Sequence, residues 1–116
     1  MVTINAATCW NMPRAGSLHP GMQADLVIAR ITGSPSWDSF YALNPKDILL
    51  VLQEGIIRLF DQELESAMQR NFKIPIDKFS KIRVGKTEKF VWGNLPALLV
   101  KIKSYNPAIA AFWESD

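Results

Sequence analysis

Asp47-Ile48-Leu49-Leu50-Val51-Leu52-Gln53-Glu54-Gly55-Ile56-Ile57-Arg58-Leu59-Phe60 is the stretch that decides the fold. Two aliphatic, β-branched runs flank the pair Glu54-Gly55, the sequence pattern of a hairpin closed by a tight turn. The first run, Asp47 to Gln53, is apolar at successive positions, which predicts a strand buried on both faces. Working outward, Asp25 to Thr32 is dense in Val and Ile and reads as another strand, ended by Gly33-Ser34-Pro35-Ser36. Ser36 is placed to cap a short helix over Trp37 to Leu43. Asp61 to Arg70 reads as a helix, with Phe60, Leu64, Ala67 and Met68 on one face, acids in the first turn and Arg70 in the last. Phe72 to Ser80 is a loop containing Pro75. Lys81–Val84 and Glu88–Trp92 make a second hairpin about Gly85-Lys86-Thr87. Asn94 caps a helix carrying Leu95, Leu98, Leu99 and Ile102 as a stripe, with Pro96 in its first turn and Pro107 beyond its end. The tail holds Phe112 and Trp113. At the other end, Val2 to Asn11 spaces Ile4, Ala7 and Trp10 one helical turn apart, Pro13 stops that helix, and Gly16 to Gly21 reads as a very short strand and a turn. The expected class is α+β and β-rich, with short antiparallel strands and a few short helices.

A chain of 116 residues holds one domain at most, and 48% hydrophobic with 21% charged residues describes an ordinary globular composition. Thirteen basic against eleven acidic side chains leave a charge of +2, too little to make nucleic acid the default partner. The longest aliphatic run, Ile48 to Leu52, is far too short for a membrane span. One cysteine allows no intrachain disulfide, and Met1-Val2-Thr3-Ile4-Asn5 lacks the basic and apolar regions of a secretory signal, so a cytoplasmic location is expected. The length excludes a (β/α)₈ barrel or a complete dinucleotide fold within this chain.

The supply of catalytic parts is thin. His19 is the only imidazole and Cys9 the only thiol, and a catalytic zinc takes three protein ligands. His19 therefore reads as an exposed turn residue and Cys9 as a small buried thiol on an alanine-rich helix. Gly85-Lys86-Thr87 echoes the end of a phosphate loop, but Ser80 stands where the motif needs glycine and a strand follows where it needs a helix. Lys73, Lys78, Lys81, Arg83, Lys86 and Lys89, interleaved with Phe79, Phe90 and Trp92, suggest a strand face that binds single-stranded nucleic acid or an anion. Alternation instead sends Lys81 and Arg83 to one face and Ile82 and Val84 to the other, as on a solvated hairpin. Asp61, Glu63 and Glu65 read as a solvated helix cap. Asp25 reads as an acceptor for the amides of the turn before it. The four tryptophans read as core or interface anchors. No catalytic, cofactor-binding or metal-ligating residue is assigned.

Three blocks nevertheless have a familiar order and spacing. Thr3-Ile4-Asn5-Ala6-Ala7, Gly16-Ser17-Leu18-His19-Pro20-Gly21 and Ala24-Asp25-Leu26-Val27-Ile28 resemble the C-terminal signature of the metal-dependent amidohydrolases: Thr-x-Asn-x-Ala, Gly-Ser-Ile/Leu-x-x-Gly, Ala-Asp-Leu-Val. Asp47 to Gly55 with Ile56-Ile57-Arg58 resembles that family's last hairpin. Cys9-Trp10 and Met22 depart from the family's usual residues. The resemblance implies that residues 1–13 correspond to the last barrel helix, 14–61 to strands of a composite β-sandwich, and 62–116 to a C-terminal helix, hairpin and helix extension. It implies a parent enzyme that hydrolyses C–N bonds with zinc or another divalent metal, whose ligands all lie upstream of the first block. This chain alone is then inert, and its expected partner is the missing N-terminal barrel portion, or a second copy joined through unpaired sheet edges. The alternative is a free-standing module that binds a protein or an anion through the Lys81–Trp92 hairpin and the Asn94–Tyr105 helix.

Overall fold

The computed structural model describes residues 3–109 and the backbone of 114–115. Its centre is the predicted hairpin: β2 (Ile48–Gln53) and β3 (Ile56–Asp61) pair antiparallel, with Gln53 opposite Ile56. The loop residues Glu54 and Gly55 have φ of 52° and 76°. Positive φ at both is the type I′ geometry whose twist matches that of the strands it joins. β1 (Leu26–Ala29) pairs with β2, and the second hairpin, β4 (Phe79–Val84) and β5 (Thr87–Trp92), has Val84 opposite Thr87. Its two-residue loop begins at Gly85 with φ of 63°, where a II′ turn needs glycine. β6 (Glu114–Ser115) pairs with β4. All six strands form one antiparallel sheet in the order β1-β2-β3-β5-β4-β6, so β3 and β5 alone join the two hairpins.

Among the described residues four short α-helices complete the α+β, β-rich fold: α1 (Ile4–Cys9), α2 (Trp37–Tyr41), α3 (Glu65–Phe72) and α4 (Leu95–Tyr105). Two start where the sequence places a cap. Ser36 Oγ accepts the Ser39 N–H at 3.2 Å, and Asn94 Oδ1 accepts the Ala97 N–H at 3.0 Å. Among the described residues no helix is long and apolar enough to cross a membrane.

The core lies where α3 covers the sheet. Phe60 and Phe90, directly opposed on β3 and β5, stack with ring centroids 4.9 Å apart, and Met68 closes over them. Leu64, Ile74, Ile76 and Phe79 pack around this cluster. Phe60 is fully buried.

Several expectations are corrected. Gly16–Gly21 forms no strand: Gly16 and Gly21 have φ of 85° and 87°, and the Met22 N–H donates to the His19 carbonyl in a turn. Helix formation begins later than expected, at Glu65, after a 3₁₀ turn over Gln62–Leu64. β2 is half-buried on both faces from Ile48 to Leu52, not fully buried. Of Ile4, Ala7 and Trp10 only Ala7 is buried, and Leu98 of the α4 stripe is exposed. Trp10, Trp37 and Trp92 are all exposed, so none anchors the core. Val2, Phe112 and Trp113 lie outside the described residues.

Because Phe60 combines complete burial with the ring stack, Phe60→Ala is expected to cost about 3–5 kcal/mol, read as a lower urea midpoint at unchanged slope.

Candidate functional site

The sequence blocks make their contacts through backbone, not through reactive side chains: the first two meet at Gly16, and the third meets the Glu54-Gly55 turn. Gly16 lies against α1 so closely that a Cβ there would stand 2.8 Å from Ile4 Cα and 2.9 Å from Ala7 Cβ. Only glycine permits that approach together with its positive φ. At the hairpin turn, Asp25 Oδ1 accepts the Glu54 N–H at 2.7 Å, and Gly55 donates its N–H to the Ala24 carbonyl at 3.0 Å. Gln23 Nε2 reaches Glu54 Oε1 at 3.1 Å. Glu54 is a non-glycine residue in left-handed backbone, and these bonds hold it there. Asp25 thus bonds a turn 29 residues further on, not the turn before it, as expected from sequence. A shallow depression bordered by Arg14, Met22, Gln23, Ala24 and Glu54 lies beside this junction.

The second cluster was not expected. Lys89, placed by sequence in a solvated basic run, is 1% exposed. It lies opposite Asp61 across the β3–β5 junction, and its Nζ donates to Asp61 Oδ2 at 2.8 Å, to the Lys46 carbonyl at 2.9 Å and to the Ile48 carbonyl at 2.6 Å. Three acceptors match the three N–H donors of an ammonium, which is the condition under which a buried lysine is tolerated. Asp61 is likewise buried and is no solvated cap, although its Oδ1 accepts the Glu63 N–H at 3.2 Å. Glu63 pairs instead with Arg30 on the surface, whose guanidinium pKa is raised by that bond. Register explains the miss: a lysine two positions before Val91 looks solvated until β5 is known to pair with β3 at Asp61.

The remaining cations behave as alternation requires. Lys81 and Arg83 lie on the face of Phe90, which Lys81 directly opposes, while Ile82 and Val84 are buried on the other face, with Lys89. Lys81 Nζ lies 2.7 Å and Arg83 3.6 Å from Glu88 across the hairpin. The Lys81 hydrogen bond holds the Glu88 carboxyl below the usual range, with Arg83 adding to the attraction. Lys78 Nζ sits 6.0 Å from the centre of the Trp92 ring. Lys73, Lys78 and Lys86 are exposed.

His19 and Cys9 are both exposed, so Cys9 is not the buried thiol expected on α1. Among the described residues no three His, Cys, Asp or Glu side chains gather as a metal site would need. Gly85-Lys86 is the hairpin turn and Thr87 the first residue of β5, its Oγ1 donating to the Val84 carbonyl at 2.9 Å.

Two substitutions test these assignments. Gly16→Ala is expected to destabilise clearly more than Gly33→Ala, whose φ is equally positive at 87° but whose Cβ would meet nothing within 4 Å; urea unfolding of both reads the contact separately from the backbone strain. Lys89→Met leaves Asp61 buried without its cation and is expected to cost about 3–5 kcal/mol. Adding Asp61→Asn is expected to recover at least ~1 kcal/mol of that loss, read from a double-mutant cycle. No protein-family model, no curated protein and no solved structure matches this chain.

Proposed function

We propose that this chain is the C-terminal structural portion of a cytoplasmic, amidohydrolase-like metal-dependent hydrolase and carries no chemistry of its own. One observation supports the reading above others: the residues that make up the three sequence blocks are used to join segments of the chain. Gly16 seats the loop on α1, and Ala24-Asp25 fastens β1 to the Glu54-Gly55 turn. Blocks whose contacts run through a close-packed glycine and a turn-bonded aspartate describe a scaffold, not a reaction centre.

The parent reaction is hydrolysis of a C–N bond, in which a bound divalent metal activates water. The described residues of this chain do not fit such an ion, since no three donors converge. No step of that reaction is assigned to them. The barrel portion is the partner, and β1, at one edge of the sheet, is the strand beside which its chain would add.

The purified chain, supplied with zinc, is expected to hydrolyse no amide or amidine substrate and to retain no stoichiometric metal after dialysis. Turnover by the chain alone that a chelator abolishes would overturn the proposal. So would coding sequence upstream of Met1 that encodes no His-x-His.

A further inference from the structure

α4 is apolar nearly all round, yet none of its residues is buried. Leu98 is 51%, Val100 71% and Tyr105 82% exposed. An apolar helix of this length belongs either in a core or in the interface of a lipid surface. The core beneath α3 takes no α4 side chain.

The helix has two distinct sides. At about 3.6 residues per turn, the half-buried Leu95, Leu99 and Ile102 make one inward stripe. Opposite them lie Pro96, Ala97, Val100 and Ser104, all exposed. Lys103 borders this strip on one side and Lys101 on the other, with Tyr105 and Leu98 just beyond Lys101. Both lysines are exposed, and no ion pair among the described residues engages either. α4 itself carries no acid, and none occurs anywhere in residues 89–113.

This chemistry selects among occupants. A protein partner is met through large central anchors, with lysine kept out of the contact. The strip on α4 is instead centred on Pro96, Ala97 and Val100 and edged by lysine. Edge lysines suit a bilayer, where their stems lie along apolar surface while the ammonium groups reach phosphate. Charge complementarity then calls for anionic headgroups.

We infer that α4 lies flat on an anionic lipid surface, with Leu98 and Val100 in the boundary between headgroups and acyl chains and Lys101 and Lys103 on lipid phosphates. At 11 residues the helix is too short to cross the bilayer, so the contact is peripheral. Two lysines and a few apolar side chains make it weak, reversible and dependent on lipid charge. The inference does not depend on the hydrolase reading.

Co-sedimentation of the purified chain with vesicles provides the test. Phosphatidylcholine vesicles holding about 30% phosphatidylglycerol are expected to bind at least about tenfold more tightly than phosphatidylcholine alone, an advantage that about 0.5 M salt removes. Lys101→Gln combined with Lys103→Gln, and separately Val100→Glu, are each expected to weaken that binding at least about tenfold. Circular dichroism reports the fold, and the lysine pair, wholly on the surface, carries the test should Val100→Glu unfold. Trp37→Ser, on α2, is expected to leave binding unchanged. No binding to the anionic vesicles overturns the inference, as does equal binding to the neutral ones. Binding that Trp37→Ser abolishes and the folded α4 variants spare overturns it too. A chain that self-associates without lipid, and stops doing so with Val100→Glu, assigns the face to a second copy and does the same.

Discussion

Everything in this fold passes through the pairing of β3 with β5. Each hairpin is a local unit closed by its own turn, and this one ladder makes a single sheet of them. The ladder is fastened differently on its two sides. On one, Phe60 and Phe90 stack and exclude water beneath Met68. On the other, one residue further along, Asp61 and Lys89 form a buried ion pair that also ties down the start of β2. The apolar contact supplies driving force. The ion pair, whose desolvation offsets much of its attraction, supplies register. A slip of β5 by one residue would put Lys89 on the face of Phe60 and turn Phe90 to the face of Asp61, breaking the stack and the ion pair together.

Much of this was legible in the sequence because it is governed by short-range rules. The Glu54-Gly55 and Gly85-Lys86 turns, the Ser36 and Asn94 caps and the alternation of Lys81, Ile82, Arg83 and Val84 all follow from neighbours within a few residues. Asp61 and Lys89 did not, since a charged residue is read as solvated until a partner distant in sequence is known. Asp25 fails in the same way: its type suggested a local turn, and its bond crosses to Glu54. The extent of the core was misjudged for a related reason. Hydrophobic pattern says which side chains seek burial but not whether another layer exists to bury them, and Val51, Leu59 and Leu98 show the difference.

The candidate site illustrates the same division. The spacing of Thr3–Ala7, Gly16–Gly21 and Ala24–Ile28 was visible as pattern, and the structure supplies its physical content: close backbone approach at Gly16 and a turn held by Asp25. The absence of converging donors around His19 and Cys9, both exposed, leaves these contacts as the most specific chemistry of the described chain.

The arrangement of the sheet also orders the events of folding. Each hairpin closes a loop of two residues, an event of microseconds, whereas Asp61 and Lys89 lie 28 residues apart and enclose two 3₁₀ turns, α3 and all of β4. The entropy of closing that larger loop falls on the chain before the aromatic stack compensates for it. Zipping of the seam between β3 and β5 is therefore the natural barrier in this topology, and two preformed but unjoined hairpins the natural ensemble on its unfolded side.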